Sequence, residues 1–339
     1  MEDVSKVLVT GGAGFIGSHL VDRLMDLECH VKVVDNLSSG SLGNVERWLK
    51  SPYFEFTHGD LKVLGVARKA VEDVEVVFHL AANPDIRVGI VNPSVHFEEN
   101  LLVTFNVLEA MRQCRTTHTI VFFSSSTIYG EPLKFPTPEN YGPLLPISMY
   151  GASKLGCESL ISAYCHIFNL HAIILRLANI TGGRSKIGVI RDFIRKLTVN
   201  SKKLEVLGDG NQSKSYLHVN DLLDAALLTL DSLTREREVD TYNVGSLDQV
   251  STRRIAEIVC EEMSLKKVDF EYTGGTDGGG GWKGDVKTML LSNARLLELG
   301  WKPSLNSEEA VRLACQEVLQ TVKKKGRASR KEIVAGGEN

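Results

Sequence analysis

"TGGAGFIGSHL", residues 10–20, is the stretch whose reading decides the fold. It follows a short apolar run, "KVLVT" (6–10). It opens an amphipathic run, "FIGSHLVDRLMDLE" (15–28), with Ile16, Leu20, Leu24 and Leu27 on one helical face. A strand, a glycine-spaced turn and a helix in that order have a physical use. Gly11 lets the chain turn sharply off the strand, Gly14 leaves room for a pyrophosphate, and Gly17 lets helix and strand pack closely. The helix N-terminus then turns free N–H groups and a partial positive charge toward the anion. Gly11, Gly14, Phe15, Ile16 and Gly17 are therefore expected to hold a dinucleotide.

Asp35 ends the next apolar run, "HVKVVD" (30–35). A carboxylate at that place accepts hydrogen bonds from the adenosine ribose and repels a 2′-phosphate, which favours NAD over NADP. Asn36, Ser38 and Gly40 come next and are offered to the same ribose and phosphate.

Working outward, further strands are expected at 53–60, 74–83, 118–126 and 171–179, with helices at 93–114 and 151–169. Apolar strands alternating with amphipathic helices imply a parallel sheet covered on both faces. The expected architecture is α/β: a Rossmann-type doubly wound parallel sheet over residues 1–178, also receiving 216–244. A smaller C-terminal α/β substrate-binding lobe, interleaved with it, spans 179–323. Helices are expected there at 187–200, 219–232, 251–263, 292–299 and 307–323, and short strands near 216 and at 241–244. The loop 273–285 reads as mobile, and 324–339 as a polar, frayed tail.

The chain of 339 residues has room for two lobes. Its formal net charge of -3 gives no reason to expect nucleic acid or an anionic membrane as partner. Cysteines at 29, 114, 157, 165, 260 and 315 form no C-x-x-C pair, which favours free thiols in a reducing compartment. The nine histidines show no ligand spacing, so no metal is expected. No run approaches the roughly 18 apolar residues of a membrane span, and the N-terminus lacks a secretory pattern, so a cytoplasmic protein is expected.

"SMYGASKLG" (148–156) places Tyr150 and Lys154 on one face if helical. Taken alone the pair is also compatible with an exposed i, i+4 contact. Its company changes that. The glycine turn, "VVDNLSSG" (33–40), "GDL" (59–61), "HLAA" (79–82), "SSSTIYG" (124–130) and Tyr150-x-x-x-Lys154 occur in order. "LRLANITGG" (175–183), "GDGNQSKSYLHVNDL" (208–222), "YNVGS" (242–246) and "WKGDV…LGWKPS" (282–304) come after them. Together they resemble the extended short-chain dehydrogenase/reductases, specifically the nucleotide-sugar epimerases, up to about residue 323.

The resemblance implies roles. Tyr150 is the general base, Lys154 and the cationic nicotinamide ring favour its phenolate, Lys154 also anchors the nicotinamide ribose, and Ser125 bridges phenol and substrate oxygen. Ser126 is the alternative to Ser125, and Ser124 is assigned to the cofactor. Asp60 and Leu61 are expected by the adenine, and Leu80, Ala81 and Ala82 along the cofactor. Asn100 either contacts the cofactor or is an ordinary buried helix residue. Asn179 and Lys214 are expected to face the nucleotide sugar, Lys214 standing where an arginine is common. "GGGGWKGD" (278–285) lacks another common arginine; Lys283 can substitute, or the glycines can form a lid. Trp282 either packs over the nucleotide or anchors the loop. A homodimer through helices matching 94–113 and 149–168 is implied as well.

The family shares an oxidation at sugar C4, and its members differ in the later steps. Dehydratases carry an Asp-Glu pair after the catalytic hydroxyl, and decarboxylases usually keep a glutamate nearby. Here the positions hold Ser126 and Thr127. The expected activity is an NAD-dependent 4-epimerisation, most like that between UDP-glucose and UDP-galactose. A nucleotide-sugar reductase or dehydratase of the same fold is the alternative. A nucleotide-binding regulatory protein without turnover is the alternative of another class.

Overall fold

β1 (Lys6–Thr10) shows in five residues why the sheet is covered on both faces. Val7 and Val9 point into one hydrophobic core and Leu8 into another, as the two-residue period of a strand requires. The computed structural model describes residues 6–114, 116–234, 236–276 and 279–335.

After β1 come α1 (Phe15–Asp26), β2 (His30–Asp35), β3 (Phe54–His58), α2 (Leu64–Val71) and β4 (Val76–His79). Two short helices are next, α3 (Val88–Val91) and α4 (Ser94–His96), then a π-helical turn over Phe97–Leu102 and α5 (Val103–Gln113). β5 (Thr119–Ser125) runs into a 3₁₀ turn at Ser126–Tyr129, and then come α6 (Met149–Phe168), β6 (His171–Leu177), β7 (Asn179–Thr181) and α7 (Val189–Val199). The second half adds β8 (Lys203–Val206), β9 (Ser213–Lys214), β10 (Tyr216–His218), α8 (Val219–Asp231), β11 (Val239–Val244), β12 (Val250–Ser251) and α9 (Thr252–Glu262). β13 (Asp269–Tyr272), β14 (Thr288–Met289), α10 (Ala294–Glu298) and α11 (Ser307–Ala335) complete it.

Seven parallel strands form the main sheet in the order β11-β6-β5-β4-β1-β2-β3. Strand order reverses between β1 and β4, and a crevice opens there at the carboxyl ends of the strands. On one face Leu20, Val21 and Leu24 of α1 and Leu222, Leu223 and Ala226 of α8 pack on Val7, Val9 and Phe78. On the other, Val107, Leu108 and Ile161 of α5 and α6 cover Leu8, Val77, Phe122 and Ile174. A third core joins α7, α9 and α11 through Ile194, Leu197, Ile255, Val259, Val311 and Cys315.

Several expectations are corrected in detail. Leu27 lies past the end of α1 and is 46% exposed, so the buried stripe ends at Leu24. The helix expected at 93–114 runs without interruption from Ser94 to Gln113, but with π-helical geometry at Phe97–Leu102, where a wider turn takes up an extra residue. Of 216–244, β11 joins the main sheet and α8 covers it, whereas β10 pairs with β7 in a separate parallel ribbon. α11 continues to Ala335 where a frayed tail was expected; 336–339 lie outside the described residues. No helix among the described residues is long and apolar enough to cross a membrane.

Candidate active site

One cleft of about 1040 Å³ runs from the glycine turn after β1 to the N-terminus of α6. At its first end Gly11 has φ +68°, and a Cβ there would stand 2.9 Å from the Ala81 nitrogen. A Cβ on Gly17 would stand 2.3 Å from the Gly11 oxygen. Both positions therefore need glycine, one for its backbone angle and both for close approach. Gly14 starts α1 with no side-chain cap, which leaves first-turn N–H groups free to meet an anion.

Asp35 ends β2 beside this turn. Its Oδ2 accepts from the Ala13 N–H at 2.9 Å and its Oδ1 from the Leu37 N–H at 2.7 Å. Each oxygen keeps a further lone pair for a ribose hydroxyl, and the fixed carboxylate opposes a 2′-phosphate. Phe15, Ile16, Asn36, Ser38, Asp60, Leu61, Leu80, Ala81 and Ala82 line the same cleft. The cradle at Gly14 and Gly17 and the acceptor at Asp35 fit NAD.

Three cofactor candidates are placed differently from the rest. Gly40 does not line the cleft: it packs against Asp35, and its carbonyl accepts from the Lys186 ammonium at 2.7 Å. Asn100 is buried behind the cleft, accepting from the Asn83 N–H at 2.8 Å and donating to the Ser153 hydroxyl at 2.9 Å. Ser124 reaches the cleft, but its hydroxyl is turned to Glu158, donating to Oε1 at 2.5 Å.

At the second end Ser125, Ser126, Tyr150 and Lys154 line one wall region. Ser148 caps α6 by accepting from the Gly151 N–H at 3.0 Å, which fixes Tyr150 in the first turn. Gly151 lets the helix approach: a Cβ there would stand 2.7 Å from the Thr127 oxygen. The Ser125 side chain faces the Tyr150 phenol closely enough to act on its ionisation. One turn on, the Lys154 ammonium donates to the Phe123 carbonyl at 2.9 Å and lies 4.7 Å from the Phe122 ring centre.

Burial pushes the Tyr150 phenol up to about 12, against the Ser125 hydroxyl, which lowers it. Burial also pulls the Lys154 ammonium down to about 8, while Cys157 and Glu158 raise it. In the protein alone Lys154 does not offset the effect of burial on Tyr150. The protein's own charges leave the phenol neutral near pH 7, so further positive charge must come from whatever binds in the cleft.

Behind these residues lie two networks that the local sequence does not announce. Glu158, one turn beyond Lys154, pairs with Arg176 of β6 at 2.8 Å, with both side chains nearly buried. Arg176 also donates to the Tyr129 hydroxyl at 2.9 Å. The other network begins at Thr10, whose hydroxyl accepts from the Leu80 and Ala81 N–H groups at 3.1 and 3.2 Å. Its own proton then goes to His79 Nδ1 at 2.7 Å, so His79 carries its proton on Nε2 and donates to Thr104 at 3.0 Å. Thr104 donates to the Asn100 carbonyl at 2.7 Å, and Ser153 to the Tyr150 carbonyl at 2.8 Å. Strand ends and the catalytic helix are thus joined by one continuous chain of bonds. The spacing of Glu158 from Lys154 was its one sequence signal; nothing local to His79 gave its partners away.

Toward the second lobe, Asn179 lines the cleft with Nδ2 buried and unpartnered in the described structure. Lys214 lines it too, paired with Asp285 at 2.6 Å. Trp282 faces the cleft between two cations, with Arg87 and Lys214 at 5.9 and 5.8 Å from its ring centre. Lys283 is exposed and does not line the cleft, so it does not replace the missing arginine. Arg87, not singled out from the sequence, lines the same cleft. Among the described residues no cluster of three or more His, Cys, Asp or Glu could hold a metal ion, and no two cysteines form a disulfide.

Residues 7–245 match the family described as the NAD dependent epimerase/dehydratase family. A protein of Methanocaldococcus jannaschii, named provisionally as a UDP-glucose 4-epimerase, is 32% identical over 311 residues, 90% of this chain and 96% of that one. A crystal structure of a UDP-galactose 4-epimerase superposes with TM-score 0.83 at 41% identity, covering 93% of this chain and 99% of the other. The UDP-glucose 4-epimerase of Thermotoga maritima with UDP-glucose gives 0.81 at 29% identity, covering 94% and 99%.

Proposed function

The chain belongs to the NAD dependent epimerase/dehydratase family, and from that membership we propose that it interconverts UDP-glucose and UDP-galactose. It is an NAD-dependent nucleotide-sugar epimerase. The choice of UDP and of glucose and galactose draws on the names of similar proteins. The observation that carries the reading is the meeting of Ser125, Tyr150 and Lys154 in the cleft that begins at the glycine turn.

Gly14, Gly17 and Asp35 would hold NAD, which when bound would supply the acceptor for the hydride of sugar C4 and the donor for its return to the opposite face. Tyr150 receives the proton of the C4 hydroxyl and later gives it back. Ser125 holds the reacting oxygen, and Lys154 keeps positive charge beside the phenol. Asp35 receives the adenosine ribose, while Asn179 and Lys214 face the nucleotide sugar. Ser126 and Thr127 supply no carboxylate where a dehydratase needs one, which favours turning over and reduction of the 4-keto sugar over loss of water.

The assay is incubation with UDP-, GDP- and dTDP-sugars without added reductant, then chromatography. Conversion of UDP-glucose to UDP-galactose is expected. Dehydrated product or net consumption of reduced cofactor selects the reductase or dehydratase reading. No conversion, with a partner whose binding tracks NAD occupancy, selects the regulatory reading. The same proposal includes a cytoplasmic homodimer: six free cysteines favour a reducing compartment, and α5 and α6 expose Phe105, Ile167 and Phe168.

A further inference from the structure

Ser125 sits under an unusual constraint. Its Oγ accepts from the Thr127 backbone N–H at 3.2 Å and from the Thr127 hydroxyl at 2.9 Å. A serine oxygen has two acceptor positions and one proton. Thr127 fills both acceptor positions, and only the proton is left. Thr127 itself sits in the 3₁₀ turn at the cleft, and its carbonyl packs on Gly151, next to Tyr150.

We propose that Thr127 is a positioning residue that makes Ser125 a one-way hydrogen-bond donor, its single proton turned to the Tyr150 oxygen in the sugar-free protein and to the reacting oxygen when sugar is bound, so that the substrate proton passes directly to Tyr150. Ser125 cannot take the C4 hydroxyl proton and hand it on, because both of its lone pairs are engaged. On oxidation the C4 O–H proton goes to the Tyr150 oxygen while C4 gives its hydride to bound NAD. On reduction both return. This rests on the epimerase reading and adds a residue and a proton route to it.

The test is a double-mutant cycle of Thr127→Val and Ser125→Ala in the NAD-loaded enzyme, with Thr127→Ser as the conservative variant. Valine keeps the backbone N–H but lets the serine proton wander. Thr127→Val is expected to lower kcat about 5- to 10-fold with KM unchanged, the size of one lost neutral hydrogen bond. Thr127→Ser is expected to restore the rate. In the Ser125→Ala background Thr127→Val is expected to cost nothing further. Additive losses, or a Thr127→Ser variant as slow as Thr127→Val, overturn the proposal while leaving the epimerase reading intact.

A second readout needs no turnover. The groups facing Tyr150 are Ser125, Cys157, Lys154 and the His96 ring, whose centre lies 5.5 Å from that of Tyr150. Phenolate absorbance of the NAD-loaded protein, read against Tyr150→Phe, is expected to shift to higher pH in both Thr127→Val and Ser125→Ala. An unshifted Thr127→Val titration overturns the proposal even if no sugar of the panel is converted.

Discussion

The Lys154 ammonium donates to the Phe123 carbonyl at 2.9 Å while standing 5.9 Å from the centre of the Tyr150 ring. The lysine is thus anchored to the strand that carries Ser125, not to the tyrosine it serves. Its charge is costly where it lies, since burial lowers its pKa to about 8 from the usual lysine value of 10.5. The unfolded chain holds this proton more tightly, so the group adds stability only as pH rises from about 8 toward 10.5, and its cost is complete below 8. Lys154→Met is expected to lower turnover at least about 10²-fold. It is not expected to lower the urea midpoint at pH 7, because the buried charge leaves with the side chain. A midpoint well below that of the wild type contradicts this.

Tyr150→Phe keeps the ring and removes the hydroxyl proposed as the acid–base group. Turnover is expected to fall about 10²- to 10⁴-fold. NAD binding, read by equilibrium dialysis, is expected to stay within about twofold, because Asp35 and the glycine turn are untouched.

His79 is held neutral, with burial pulling it to about 3 and Lys154 adding to that. Below pH 6.5 the unfolded histidine takes a proton that the folded one refuses. Stability therefore falls as pH drops through the window from 6.5 to 3, by about 1.4 kcal/mol per unit from this group. His79→Gln has no such proton to take. Between pH 7 and 5 its unfolding free energy, measured in urea, is expected to drop about 2 kcal/mol less than the wild type's.

The pair of Glu158 and Arg176 is nearly buried on both sides. Glu158→Gln leaves a guanidinium without its anion and is expected to cost about 3–5 kcal/mol. Glu158→Leu with Arg176→Met removes both charges and is expected to recover much of that loss, as read from thermal midpoints.

Two glycines separate space from flexibility. Gly17→Ala would drive a methyl to 2.3 Å from the Gly11 oxygen and is expected to abolish NAD binding. Gly65 in α2 meets nothing within 4 Å, so Gly65→Ala is expected to stabilise by up to about 1 kcal/mol. Calorimetry of both variants checks the pair.

The parallel sheet was legible because five of its first six strands are apolar runs punctuated by turns, and the other, the edge strand β3, alternates. Gly11, Gly14, Gly17 and Asp35 were legible because their spacing along the chain is itself the site. Other features depend on partners far away in sequence. Thr10 and His79 are 69 residues apart, and Arg176 and Glu158 meet from a strand and a helix. The π turn at 97–102 was hidden because it leaves the apolar pattern on either side intact. Lys283 was considered as a stand-in for an arginine on composition alone, whereas the exposed position of its side chain is a property of the folded loop.

The strand beside β6 is supplied by residues 239–244, and α8, which covers the same face as α1, by residues 219–231. A ribosome releasing this chain therefore exposes an open β6 border and an uncovered oily surface long after the glycine turn has emerged. Cutting the gene after the sixth strand would yield a sticky fragment rather than a small nucleotide-binding unit. Chaperone capture during synthesis should persist until the seventh strand has cleared the exit tunnel.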